Sequence, residues 1–114
     1  MLKKAGIKEK ILWLIGRRKI FRVEGPSMSP TLNNGDIVLI DAHAEITEGC
    51  IILADHPYKQ SVKILKRLTG FSESGEMILS GDNTQESTDS RVFGSVPLKN
   101  FRGAVTSLLA KARA

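Results

Sequence analysis

The sequence predicts a mainly β fold, a coiled antiparallel or barrel-like sheet carrying one N-terminal amphipathic helix. Three observations predict it. Short apolar, strand-like runs recur from Lys19 onward; Gly-Asp, Asn-Gly and Ser-Gly steps separate them; and the helical period of residues 1–17 gives way after that point. With 114 residues, 41% hydrophobic and 25% charged, the chain has room for one domain with a single modest core. The expected layout is a single domain over 1–114, with a basic helix over 1–17 and a β-rich core over 19–109.

In the first segment Ile7, Ile11, Leu14 and Ile15 fall at i, i+4, i+7 and i+8, one face of a helix, with Lys3, Lys4, Lys8 and Lys10 around the rest. Residues 1–22 hold eight Lys/Arg against Glu9, a charge of +7, so residues 23–114 carry −2 of the net +5. The basic character therefore belongs to this segment, and a nucleic-acid partner is not expected. The longest apolar run, ILWLI, is shorter than the roughly 18–20 residues that span a bilayer, so neither a membrane anchor nor a secretory signal is expected. The apolar stripe then either packs on the domain, leaving a solvated basic side, or docks on an anionic membrane surface or an acidic partner through residues 1–19.

KIFRVEG (residues 19–25) alternates Phe21 and Val23 against Ile20, Arg22 and Glu24, a half-buried strand. DIVLID and CIILAD are continuous apolar runs, strands covered on both faces; SVKILKRL and EMILSG follow. RGAVTSLLAKARA reads as a last strand running into a frayed helical tail. The lone cysteine, Cys50, opens CIILA as a small buried hydrophobe and leaves no intramolecular disulfide, in keeping with a reducing, cytoplasmic setting.

The stretch VEGPSMSPTLNNGDIVLID sets Ser27 among Gly25, Pro26 and Pro30, residues that impose a tight irregular turn ahead of a buried strand. A serine on such a turn can offer its hydroxyl and its own N–H to one carbonyl, as acyl transfer requires. Such clusters also mark ordinary turns, so a second residue is needed. In SVKILKRL the strand period puts Val62, Ile64, Lys66 and Leu68 on one face and Ser61, Lys63, Leu65 and Arg67 on the other, so Lys66 is the lysine on the apolar face. A lysine at its ordinary pKa is only about 0.04% neutral at pH 7. Desolvation is the main way to bring it into the range of a general base, and with Ser27 it suggests a Ser–Lys dyad. LSGDNTQESTDSRVFGSVP is a long polar loop with Asp82, Asn83, Ser87, Asp89, Ser90 and Arg91, of the kind that builds hydrogen-bonded sites. His43 and His56 are expected at the surface, outside any triad with Ser27.

GPSMSPTL, ILKRLTG and GDNTQESTDSRVFG, in this order across roughly Arg22 to Val105, resemble the three catalytic boxes of the type I signal peptidase (S26) family of Ser–Lys proteases. The resemblance implies a coiled β-sheet, LexA-like catalytic core. It implies Ser27 as nucleophile, Lys66 as general base, Ser87 as the hydroxyl that orients the lysine, and Asp89 and Arg91 as a structural pair beneath the site. Gly25, Pro26 and Met28 become the oxyanion and substrate-side neighbours of Ser27, and Ser29 a non-catalytic turn residue. Many bacterial members carry a serine or threonine where this chain has Gly25, which leaves the Ser27 N–H as the oxyanion donor that can be named.

The chain also lacks the spanning helices of the membrane enzymes and an inserted β-domain between Gly70 and Gly81. In that short form it most resembles the nickel-type superoxide dismutase maturation proteases. The implied function is a Ser–Lys endopeptidase that removes an N-terminal leader from a precursor protein, nickel-type superoxide dismutase being the implied substrate, with no metal or organic cofactor required. The alternatives are a minimal membrane-surface signal peptidase, a LexA-like self-cleaving regulator core and a non-enzymatic β-rich binding module.

Overall fold

A computed structural model describes residues 2–59, 61–83 and 94–112. One helix, α1 (Ile7–Leu14), precedes six strands: β1 (Lys19–Arg22), β2 (Ile37–Asp41), β3 (Ile51–Asp55), β4 (Lys63–Phe71), β5 (Met77–Ser80) and β6 (Phe101–Ala110). They form a single sheet in the order β1-β2-β6-β3-β4-β5, every strand pair antiparallel. Each strand expected from the sequence is present. The C-terminal segment differs from expectation in one respect: it stays extended to Ala110, with no helical tail in the described residues.

The strands read as they do because the coiled sheet is covered on both faces. In β3, Ile51 and Leu53 join one buried cluster with Val23, Met28, Leu32, Val38 and Leu65. Ile52 and Ala54 join a second with Ile64, Leu68, Met77 and Leu79. A strand buried on both faces needs no polar alternation, hence CIILAD. Register shifts between Ile37 and Val38 and between Leu39 and Ile40 interrupt the β2–β6 ladder, and irregularities of this kind bend and coil a sheet.

The N-terminal segment departs from the expected helix bounds and decides against the packed alternative for the apolar stripe. Lys3–Ala5 is not helical but runs beside β6, the Leu108 N–H donating to the Lys3 carbonyl and the Ala5 N–H to the Leu108 carbonyl. The helix that follows does not bury its apolar stripe. It is held through Glu9, whose carboxylate accepts from the hydroxyls of Thr106 and Ser107 on β6 and from Arg18 Nε at 3.1 Å. Burial alone would raise the Glu9 pKa, but those three donors outweigh it and hold the carboxyl below its ordinary value. Ile7, Ile11, Leu14 and Ile15 are left exposed. Cys50 also departs from expectation: it is half-buried, its Sγ 3.0 Å from Thr47 Oγ1.

Candidate active site

Ser27 lies on the turn between β1 and β2, held by buried side chains on both sides. Val23 precedes it, and Met28 and Leu32 follow; all three sit in the first cluster. At about 1.5–3 kcal/mol for each large buried side chain, these anchors fix the turn against the sheet. The Met28 carbonyl accepts from Leu32 N–H at 2.9 Å and the Pro26 carbonyl from Ser29 N–H at 3.1 Å. Ser29 Oγ turns to Asn33 Oδ1 at 2.7 Å, a bond internal to the turn. Gly25 has φ 81°, and its N–H donates to Asn34 Oδ1 at 2.9 Å. A Cβ there would meet nothing within 4 Å, so the backbone angle and not crowding explains the glycine, at a cost of about 1–2 kcal/mol to an ordinary residue.

Ser27 and Met28 line a groove of about 460 Å³ together with Phe21, Val23 and Glu24 on one side and Ser61 to Lys66 on the other. The two walls are strand edges. Val23 commits its N–H to the Asp36 carbonyl and its carbonyl to the Gly35 N–H, so the alternation of an antiparallel strand turns the backbone of Arg22 and Glu24 the other way. On β4, Leu68 exchanges bonds with Gly49 and Cys50, and the Val62 carbonyl accepts from His56. By the same alternation Lys63 and Leu65 turn their backbone groups away from β3, toward the groove. β5 pairs with β4 only from Arg67 onward, so among the described residues no strand covers this edge along Lys63–Leu65.

Lys66 is buried, at 4% exposure, whereas Lys63 is exposed and paired with Asp55. The strand-face reading was right about this contrast and wrong about two neighbours. Val62 lies exposed just before β4, and Leu65, assigned to the polar face, is buried in the first cluster. Gly81 reports where the lysine ends: a Cβ built there would stand 2.6 Å from the Ser27 carbonyl oxygen and 3.5 Å from Lys66 Nζ. The serine turn, Lys66 and the end of β5 therefore meet at one point, with room for no side chain at position 81.

What joins them was not anticipated from the sequence. Arg67 grips the Asp82 carboxylate with two donors, Nε to Oδ1 at 2.9 Å and Nη2 to Oδ2 at 2.7 Å. Asp82 also accepts from Thr31 Oγ1 at 2.6 Å. Asn83 donates its backbone N–H to the Ser27 carbonyl and its Nδ2 to the Pro26 carbonyl, each at 2.9 Å. Residues 81–83 thus strap the serine turn to β4. Asp82 and Asn83 were legible only as loop formers, and Arg67 only as the neighbour of Lys66. The pair expected beneath the site, Asp89 with Arg91, and the orienting hydroxyl Ser87 lie outside the described residues.

The hydrogen bonds from Arg67, against burial and with help from Thr31, hold the Asp82 carboxyl below its usual pKa. A depressed carboxylate pKa stabilises the fold above the unfolded value near 3.8, and that stability is lost as pH falls through the lower folded value. Asp82→Asn is expected to cost about 1–3 kcal/mol at pH 7 and to leave the variant and parent closer in stability in strong acid. Urea titrations at both pH values check this; a difference independent of pH would mean that the Asp82 charge is not what matters.

His43 is exposed, and His56 accepts at Nδ1 from the backbone N–H groups of Tyr58 and Lys59. Burial, then the Lys59 charge, holds the His56 imidazole below its ordinary pKa. Neither lines the Ser27 groove. Among the described residues no helix is long and apolar enough to cross a membrane.

A family model described as Peptidase S24-like matches residues 9–92. The chain is similar to mitochondrial inner membrane protease subunit 1 of Xenopus tropicalis, 36% identical over an alignment 104 positions long that covers 71% of this chain and 62% of the relative. The Homo sapiens protein of the same name is 33% identical over 71% of this chain and 63% of its own length. That of Schizosaccharomyces pombe is 30% identical over 75% and 71%. The chain thus spans about 62% of the length of the first of these relatives. Because the family match runs through both the Ser27 turn and the Lys66 strand, and over most of the chain, this protein belongs to the Peptidase S24-like family.

Proposed function

We propose that the protein is a Ser–Lys endopeptidase of the signal-peptidase type, removing an N-terminal leader from a precursor protein. One observation carries this reading: Lys66 is buried, and its Nζ and the Ser27 turn come together over Gly81 at the end of the groove. A buried ammonium is disfavoured by desolvation, which favours the neutral amine that a base must be. A substrate segment adds as an extended strand between the edges of β1 and β4, bonding the backbone groups that Glu24, Lys63 and Leu65 turn to the groove. Ser27 Oγ attacks the scissile carbonyl while Lys66 takes its proton, and the developing oxyanion is met by the Ser27 N–H. Lys66 then returns the proton to the leaving amine and activates the water that hydrolyses the acyl-enzyme. The protease names of the relatives support a peptidase and a setting close to a membrane. Nickel-type superoxide dismutase precursor, the substrate that the sequence resemblance suggests, is the first to test.

The experiment incubates the protein with that precursor and, in parallel, with peptides bearing secretory leaders, and maps every new N-terminus by mass spectrometry. One defined cut at the leader boundary, absent with Ser27→Ala, supports the proposal. Intact substrates throughout, with folded protein, would favour the binding-module alternative.

Gly81→Ala tests the geometry. Its methyl would meet the Ser27 carbonyl well inside contact distance, against a backbone atom that cannot swing aside. Turnover is expected to fall about 10²-fold, with the far-UV circular dichroism spectrum kept. Unchanged kcat/KM would show that the serine turn has freedom this arrangement denies it.

A further inference from the structure

The helix α1 is mounted the wrong way round for a soluble domain. At 100° per residue, Leu14, Ile7, Ile11 and the capping residue Ile15 form an arc of about 100°, and Glu9 lies on the opposite side of the helix. It is the Glu9 side that faces the protein, bonded to Thr106, Ser107 and Arg18. The aliphatic arc faces away, with Ile7 80% and Leu14 78% exposed. Lys10 stands at one border of the arc and Lys8 at the other, both exposed, with Lys3, Lys4, Arg17 and Lys19 exposed nearby. Glu9, the one acid of residues 1–22, is consumed by the attachment.

We infer that α1 is a monotopic docking element for an anionic lipid surface. The aliphatic arc enters the headgroup boundary and the bordering lysines reach lipid phosphates. Charge complementarity selects this occupant. Protein interfaces are depleted in lysine, whereas here lysines line both borders of the arc with no exposed acid among residues 1–22. The inference does not depend on the peptidase reading, but it bears on it. β1 starts shortly after α1 and extends about 13 Å to the groove wall at Phe21 and Val23, so a docked helix holds the groove close to the lipid surface.

Trp13 is the single tryptophan and lies within α1, so its fluorescence reports this helix alone. The full chain is titrated with phosphatidylcholine vesicles with and without 30% phosphatidylglycerol, and flotation is measured alongside. Förster transfer from Trp13 to dansyl-labelled lipid in the vesicles, and co-flotation with the anionic vesicles, are expected, with binding to neutral vesicles weaker by about tenfold or more. Ile7→Gln/Leu14→Gln, at positions too exposed to matter for folding, and separately Lys8→Glu/Lys10→Glu, should each weaken anionic binding by about tenfold or more. Absence of binding would overturn the inference. So would binding that survives Ile7→Gln/Leu14→Gln, or a self-association in sedimentation that this variant abolishes while vesicles go unbound, which would assign the face to a second copy.

Discussion

Ser27→Ala is expected to abolish precursor cleavage, a loss on the order of 10⁴-fold or more, while Ser29→Ala keeps most of it. The two hydroxyls stand two residues apart on one turn and have different surroundings. Ser27 lines the groove together with Glu24 and Lys66; Ser29 donates back into the turn, to Asn33. Losing Oγ at 27 removes the atom proposed to form the acyl bond, whereas losing it at 29 removes one turn hydrogen bond worth about 0.5–1.5 kcal/mol. Neither change disturbs the anchors Val23, Met28 and Leu32, so both variants should fold. The measurement is kcat/KM on one precursor, with thermal unfolding of each variant. An equal loss in the two, with both folded, would sink the assignment of the nucleophile.

The second large effect is expected at Lys66. Lys66→Met, which keeps the length of the buried side chain without the amine, and Lys66→Arg, which keeps a charge that cannot be given up at working pH, should each lower turnover by about 10²–10⁴-fold. Lys63→Ala, at the exposed lysine paired with Asp55, should change it little. If Lys66 is the base, activity of the parent enzyme should rise with pH as its ammonium loses its proton, because only a neutral amine can accept the proton of the serine. That rising limb should be missing from the residual activity of Lys66→Met. A folded, active Lys66→Arg, or an inactive Lys63→Ala, would mean that another group is the base.

Much of the fold was legible because strand formation here follows from local composition. Phe21 and Val23 alternate with exposed neighbours, and the runs at Ile37–Asp41 and Ile51–Asp55 are continuous because both faces of the sheet are covered. The groove was legible in part. Gly25 and Pro26 mark the turn that carries Ser27, and the strand period separates buried Lys66 from exposed Lys63. The period failed at Leu65, since a strand buried on both faces no longer reports its faces through polarity.

Local sequence was enough to propose the type and order of the elements, a helix and six strands, and to single out one serine and one lysine as candidates. Only the tertiary structure decided that β6, last in the chain, lies between β2 and β3 at the middle of the sheet. It alone showed that Arg67 closes on Asp82, that Asn83 reaches the Ser27 turn, and that α1 turns Glu9 inward and its aliphatic face outward. The physical reason is range. Periodicity and turn chemistry are interactions among near neighbours in the chain, and they appear in any short window of it. Strand order and polar partnerships join residues far apart, such as Asn83 to Pro26 or Glu9 to Ser107, and a carboxylate in sequence looks the same whether it meets water or a distant hydroxyl.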